Sequence, residues 1–423
     1  MDTAPTDVRP PASRPAAMRF IMLTVLLDMV AIGLIIPVLP ALVGSFTSNQ
    51  TEQAEAYRLV TLAFGAANFV CSPLLGALSD RFGRRPVLLI GMTGLAISFF
   101  TTALATALWM LIAVRVLSGA MQANAAVANA YAADISSPED RAKNFGLLGA
   151  MFGLGFMLGP VLGGLLGAID IHLPFFVAGA LAVVNGLYGY FVLPESLPAD
   201  KRSAFNWSKA SPLSAFKALN ALQGLGPLVA ILALSGLAQF TLHTTWVLYT
   251  QMKFGWGPLE NGLSLFAVGL MSVIVQGGLM GRLTAYFGVP RLAVWGLVSS
   301  ACCFLAWGLA PEGWMMYAVI GFNVLGFAAQ SSMQSLISNA ADASSQGQTM
   351  GAVAAVNSLM AAIAPLVGPS LLVWVGHLPK GDWRIGAPYY LCAALQATAA
   401  LLVWLHLRRQ LRFSDTSASA TLR

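Results

Sequence analysis

The segment GALSDRFGRRP (Gly76–Pro86) sets one acid and three arginines into eleven residues between two long apolar runs. Charge is scarce elsewhere: of 423 residues 57% are hydrophobic and 9% charged, with a mean hydropathy of +0.73. A soluble fold cannot cover that much apolar surface with so few charges. Uncharged runs of about 18 residues or more can each cross a hydrocarbon layer of about 30 Å as a helix. Helices also satisfy their own backbone hydrogen bonds where water is absent. Gly76–Pro86 is therefore a polar connection between two spans of a polytopic, all-α membrane protein.

Working outward from it, twelve spans are expected, near 18–39, 57–77, 86–106, 108–132, 144–167, 174–193, 225–251, 259–280, 291–310, 313–339, 348–373 and 386–408. Residues 1–17 lack an apolar stretch of their own and read as a disordered cytoplasmic tail, so span 1 serves as an uncleaved insertion signal. Residues 409–423 form a second cytoplasmic tail. Placing both termini in the cytoplasm puts 18 of the 23 lysines and arginines inside and four outside, with Arg115 within a span. That asymmetry is the positive-inside pattern, and the net charge of +6 reports topology and lipid contact rather than nucleic-acid binding. Cys71, Cys302, Cys303 and Cys392 all fall in spans, show no metal-ligand spacing and read as packing residues.

The longest polar connection, 194–224, separates six spans from six, giving expected bundles over 18–193 and 225–408 joined by a cytoplasmic central loop. Gly76–Pro86 has a faded echo in GRLTAYFGVPR from Gly281, 205 positions on. DISSPEDRAKNFG from Asp134 pairs with DASSQGQTMG from Asp342, 208 positions on. Two echoes at nearly one offset indicate a duplicated six-helix unit, a layout in which two bundles rock about a midplane site.

Together with RVLSGAMQANAAVANAYAAD in span 4, FGLGFMLGPVLGGLLG in span 5, LLDMVAIGLIIPVLPAL in span 1, PFFVAGALAVVNGLYGYFVLPES in span 6 and TWVLYTQMKFGW after span 7, the loop resembles the major facilitator superfamily. Within it the chain is similar to drug/proton antiporters, in particular the tetracycline/proton antiporter branch. The resemblance implies twelve helices in two pseudo-symmetric bundles. It implies proton-coupled efflux of an amphiphilic small molecule or drug from the bacterial inner membrane. A proton-coupled transporter of a native metabolite such as a siderophore is the alternative.

The resemblance also implies a cytoplasmic latch. Asp80 would sit at the N-terminus of span 11, around Gly347–Gly351, where the helix dipole favours an anion. Arg84 would pair with Asp134, and Arg81 and Arg85 would support the loop or merely fix topology. Gly76 and Gly83 would serve close approach and a tight turn. Asp28, mid-span in helix 1, costs about 3 kcal/mol to insert and is a functional suspect by default. With Arg115 and His243 it is the candidate for proton coupling; a static Asp28–Arg115 pair that specifies packing is the competing reading.

Helical spacing puts Arg115, Gly119, Gln122 and Asn129 on one face of span 4. Gln239, His243 and Trp246 share a face of span 7, and Asn323, Gln330 and Gln334 lie along span 10. The family's cavity is lined by helices 1, 4, 7 and 10, so Gln122, Asn129, Gln239, Trp246, Asn323, Gln330 and Gln334 are candidate cavity residues. Interhelical hydrogen bonds worth about 0.6 kcal/mol each would give the same stripes. In span 5, Gly153, Gly155, Gly159, Pro160, Gly163 and Gly164 predict close helix packing across the two bundles.

Departures from the branch lie at Ser98 and Ser300, where it carries acids, and at Ser272, where it carries a histidine; they weigh against tetracycline as substrate. The sequence has no metalloprotease, nucleophile-elbow or Walker-type motif. The expectation is therefore no enzyme, no metal and no cofactor, with the proton gradient as energy source. The expected partners are protons, lipid and a small amphiphile acting on a monomer.

Overall fold

The computed structural model describes residues 14–122, 124–136, 140–205, 226–340 and 346–421. Residues 1–13 of the expected N-terminal tail, most of the central loop from 206, and the connection 341–345 of the second repeat echo lie outside them. Among the described residues the chain is helical, without strands. The first half comprises α1 (Arg14–Ile35), α2 (Leu39–Gly44), α3 (Gln50–Phe82), α4 (Arg84–Ala103), α5 (Leu108–Met121), α6 (Asn124–Ile135), α7 (Arg141–Ile169) and α8 (Leu173–Val192). The second comprises α9 (Gly226–Phe254), α10 (Pro258–Val273), a π-helical turn at Ile274–Leu279, and α11 (Met280–Phe287). It continues through α12 (Val289–Leu309), α13 (Trp314–Phe322), α14 (Val324–Ala340), α15 (Gln346–Val375) and α16 (Ala387–Thr421).

Ten of the described helices are long and apolar enough to cross a membrane, so the chain is a multi-pass membrane protein. The other two expected spans, 108–132 and 313–339, are each built from two shorter helices. One is interrupted after Gln122, the C-cap of α5, and the other at Asn323, the C-cap of α13. Residues 14–17, expected in a disordered tail, already form the first turn of α1.

The halves repeat the same packing. α1 packs on α7 and α8 as α9 packs on α15 and α16, and α4 packs on α8 as α12 packs on α16. The halves meet through two equivalent pairs, α7 with α10 and α15 with α3. The loop echoes are equivalent as well: Gly83 has φ +104° and Gly288 φ +71°, each one residue before a new helix. Only glycine takes such a φ without strain, which is why the turn persists at 288 although only Arg282 and Arg291 remain of the charge around it.

Small residues set the helix contacts. A Cβ on Gly33 would stand 2.8 Å from the Cα of Gly159, and one on Gly163 would overlap the carbonyl oxygen of Leu34. A Cβ on Gly155 would overlap Met29. Gly155, Gly159 and Gly163 thus seat α7 against α1 of their own half rather than across the halves as the sequence suggested. The crossing contact is made one face over. A Cβ on Gly164 would be 2.7 Å from the carbonyl oxygen of Pro258, and one on Gly262 would be 2.5 Å from that of Pro160. A glycine every fourth residue lines one face, and the neighbouring position Gly164 lies about 100° round the helix.

The contacts between halves occupy one end of the molecule. Gly164 meets α10, Thr51 lies beneath Gly376, and Gln53 Nε2 donates to Gln251 Oε1 at 3.3 Å and to the Pro40 carbonyl at 2.8 Å. At the other end, which carries the 76–86 loop, Gly76, Gly146, Gly149, Gly153, Gly277, Gly278 and Gly281 meet no neighbour among the described residues where a side chain would project. The halves are splayed apart there. Gly76 accordingly makes no close backbone approach, against expectation.

Gly163→Val should lower the stability of the detergent-solubilised protein by about 1–3 kcal/mol through overpacking, while Gly76→Ala should leave its melting temperature unchanged. Thermal denaturation followed by size-exclusion chromatography reads both; equal melting of the two variants would contradict the assignment.

Candidate functional site: a cavity between the two halves

Where the halves diverge they enclose a cavity of about 860 Å³, lined from both sides. Its walls are mainly apolar and aromatic, with Tyr57, Phe64 and Phe99 in the first half and Trp246, Phe304 and Trp307 in the second. Few polar groups converge on it, the pattern of a small-molecule site. Both helix interruptions border it: Gln122 and Asn323 are lining residues. Asn323 ends α13, accepts from Phe327 N through its carbonyl at 3.1 Å, and receives Ser299 Oγ on its side-chain oxygen at 3.4 Å. Non-helical backbone at membrane depth is tolerated where it lines a cavity.

Arg115 on α5 lines this space. The residue is only 4% exposed, and its Nε and Nη2 have no hydrogen-bond partner. Asp28 lies elsewhere. It is 6% exposed, is absent from the lining, and accepts from Asn185 Nδ2 of α8 at 2.8 Å, the same amide also donating to the Thr24 carbonyl at 3.0 Å. No ion pair joins Asp28 to Arg115 among the described residues, so the static-pair reading fails in this conformation. The reason is geometric: Asp28 looks toward α8, Arg115 toward the cavity.

Of the other expected cavity residues, Gln122, Gln239, Trp246, Asn323 and Gln330 line the space. Trp246 Nε1 donates to Ser264 Oγ at 2.9 Å, which fixes the indole plane against Trp307, 5.1 Å away edge-on. His243 lines the cavity beside Gln239, their Nε2 atoms 3.3 Å apart, with the ring of Phe156 from the opposite half 6.3 Å away. Asn129 and Gln334 do not line it and are exposed. The spacing that placed Asn129 with Arg115 assumed one continuous helix, and the break after Gln122 resets the phase. Gln334 shares a face with Gln330 but lies one turn nearer the splayed end. Gly119, also placed on that stripe, packs against the Phe64 carbonyl instead.

Several lining residues were missed by restricting attention to four helices: Asn68, Gln276, Asn357 and Gln396. The duplication held the signal for two of them. Asn68 and Gln276 stand 208 positions apart, as do Gln122 and Gln330. Ser272 and Ser300 also line the cavity, whereas Ser98 is fully buried behind it and bonds to Ser118. The four cysteines are free thiols.

The 76–86 loop forms a second cluster. Arg84 Nε donates to Asp134 Oδ2 at 3.0 Å, and its Nη1 reaches Ser79 Oγ at 2.6 Å and the Asp80 carboxylate. Asp80 thus pairs within its own half here, and its carbonyl accepts from Ser203 N at 3.1 Å. The segment just before the helix around Gly347–Gly351, its expected partner, lies outside the described residues, and the side chains of 347–351 are not described. Arg85 Nη2 donates to the Tyr190 carbonyl at 2.5 Å, and Arg81 lies over the exposed ring of Phe82. Sequence reading did not single out Glu195. Its carboxylate accepts from the backbone N–H groups of Arg84 at 2.9 Å, Arg85 at 3.3 Å and Leu197 at 3.0 Å, capping the N-terminus of α4 where an anion is favoured. Ser196 joins from the same segment, donating to Asp134 at 3.1 Å.

The family model of the Major Facilitator Superfamily matches residues 21–365 and 279–421. The class C tetracycline resistance protein of Escherichia coli is 35% identical over 380 residues, covering 89% of this chain and 94% of that protein. The class B protein of Escherichia coli is 32% identical, with the same coverage. Among solved structures, that of the human organic anion transporter MFSD10 has a TM-score of 0.70 at 23% identity, covering 93% of this chain and all of the other. The nucleoside transporter NupG reaches a TM-score of 0.73 at 13% identity.

For the loop cluster, Glu195→Ala should cost about 0.5–2 kcal/mol as a lost helix cap. Arg84→Ala should cost more, about 3 kcal/mol, because it strands the half-buried Asp134. Chemical denaturation of the purified protein ranks the two; an equal or reversed order would contradict this picture.

Proposed function

Because the chain belongs to the major facilitator superfamily, we propose that it is a secondary active transporter that exports an amphiphilic small molecule in exchange for protons. The cavity carries this reading. It lies between two repeated halves, is sealed by helix contacts at one end and splayed at the other, and is sized for a drug-like molecule. Rocking of the halves about the α7–α10 and α3–α15 contacts would expose it alternately to the two sides. With the Lys/Arg-rich loops in the cytoplasm, the conformation described is inward-facing, and the protein sits in a bacterial inner membrane with both termini inside.

In this scheme Asp28 carries the proton. The bond from Asn185 holds the carboxylate within the first half, and its weakening on protonation, when the acceptor loses its charge, is a local change that rocking can read out. His243, facing Phe156 across the cavity, is the second candidate for proton transfer. Arg84, Asp80 and Asp134 act as the latch that Asp80 completes against span 11 in the outward-facing state. Residues of the glycine face of α7 keep the interface tight and touch no substrate. No cofactor takes part, the energy coming from the proton gradient, and the protein works as a monomer.

Energised everted vesicles that are acidified inside test the coupling. Adding amphiphilic compounds to wild type should release protons, and Asp28→Asn should abolish that response while the protein still reaches the membrane. Equal proton release from both would remove Asp28 as the carrier and shift the test to His243→Gln.

A further inference from the structure

We propose that Arg115 anchors a negatively charged group of the transported molecule, so that the substrates are amphiphiles bearing a carboxylate or similar anion on an aromatic or apolar body. The proposal rests on the transporter reading above and names the substrate class of its cavity. A guanidinium presents N–H donors in a planar fork that matches a carboxylate. Here the residue sits almost wholly buried in the cavity wall, and its Nε and Nη2, which have no exposed surface of their own, are unbonded. A buried charge with unsatisfied donors is unfavourable unless something pairs with it.

No carboxylate on the described cavity wall does. Among the described lining residues there is no aspartate or glutamate, and Arg115 is the sole lysine or arginine. Asp28 is outside the lining and bonded by Asn185. The neighbouring hydroxyls are neutral. Ser118 lies one helical turn from Arg115 on the same face, and it is bonded to Ser98 of α4. The cavity therefore carries one uncompensated positive charge in low-dielectric surroundings, which concentrates anions and repels cations. Tyr57 and Phe99 flank this pole in the first half, while Trp246 and Phe304 offer apolar faces in the other. A rigid aryl acid spans both requirements.

Binding of tritiated biphenyl-4-carboxylate to the full chain in phosphatidylcholine nanodiscs tests this without any gradient. Biphenyl-4-carboxamide and biphenyl-4-methylammonium compete as neutral and cationic shape-mates. The carboxylate should bind saturably and compete best. Arg115→Gln should weaken it on the order of thirtyfold, the low end of the loss for a buried, hydrogen-bonded charge pair, while leaving the carboxamide unchanged. Arg115→Lys should restore part of the loss. Ser98→Asp should supply an internal counter-ion and turn the preference toward the ammonium compound, a gain that a misfolded variant cannot show.

No saturable carboxylate binding, equal binding of the three probes, or an Arg115→Gln variant that keeps the carboxylate preference would each overturn the proposal. So would displacement of the carboxylate by phosphatidylglycerol in the disc, which would assign the site to a lipid headgroup. Failure of proton release in vesicles with this selectivity intact would refute antiport and leave the anchor standing. Proton release driven by cations, with no preference for the acid, would do the reverse.

Discussion

The close seating of α7 between α1 and α10 is the constraint on which the remaining architecture depends. On one face, Gly33, Gly159 and the Leu34 carbonyl bring two backbones of the same half into contact; on the adjacent face, Gly164, Gly262 and Pro258 join the halves. Inside a bilayer there is little hydrophobic gain from burying one apolar helix against another, so close backbone packing and dispersion must hold them. That contact can be tight at one end only, because the glycines nearer the 76–86 loop meet no neighbour among the described residues. A contact that binds one end of α7 and frees the other produces a cavity as a direct consequence of where side chains are absent.

Charge is placed with the same economy. Four acidic or basic residues, Asp80, Arg84, Asp134 and Glu195, are concentrated in one network at the splayed end, where they share short polar contacts and a helix N-terminus. Within the membrane Asp28 and Arg115 are kept apart. Asp28 is turned into its own half and Arg115 into the space between halves. An ion pair joining them would have neutralised the cavity, whereas their separation gives the acid partners within its own half, Asn185 among them, and leaves the guanidinium at the cavity wall.

Much of this was legible in the chain itself. Long uncharged runs can be only helices in lipid, so the all-α fold followed from hydropathy, and the repeat followed from Gly76–Pro86 and its echo at Gly281. What escaped is instructive because it arises from interrupted periodicity. Asn129 was carried onto the cavity face by extrapolating through Gln122, where the helix in fact ends. The breaks carry no proline, the usual marker: polar residues at 122 and 323 cap short helices inside apolar surroundings. Gly155, Gly159 and Gly163 were read as one seam with Gly164, although a single step along a helix changes the partner. Glu195 was hidden because its function depends on a residue more than a hundred positions earlier.

The interruptions of the fourth and tenth spans bear on how dry the cavity can become. Helix ends leave amide or carbonyl groups without intrahelical partners, and here two such ends border the cavity. At Asn323 the backbone itself meets part of this need, Asn323 N donating to the Val319 carbonyl and the Asn323 carbonyl accepting from Phe327 N, and groups left over need partners from within the space. Complete dehydration on closure would leave them bare, at a cost of several kcal/mol for each one. An occupant must either carry its own donors and acceptors to the breaks or share the chamber with retained water there, so a mainly apolar interior keeps two polar footholds that closure cannot dry.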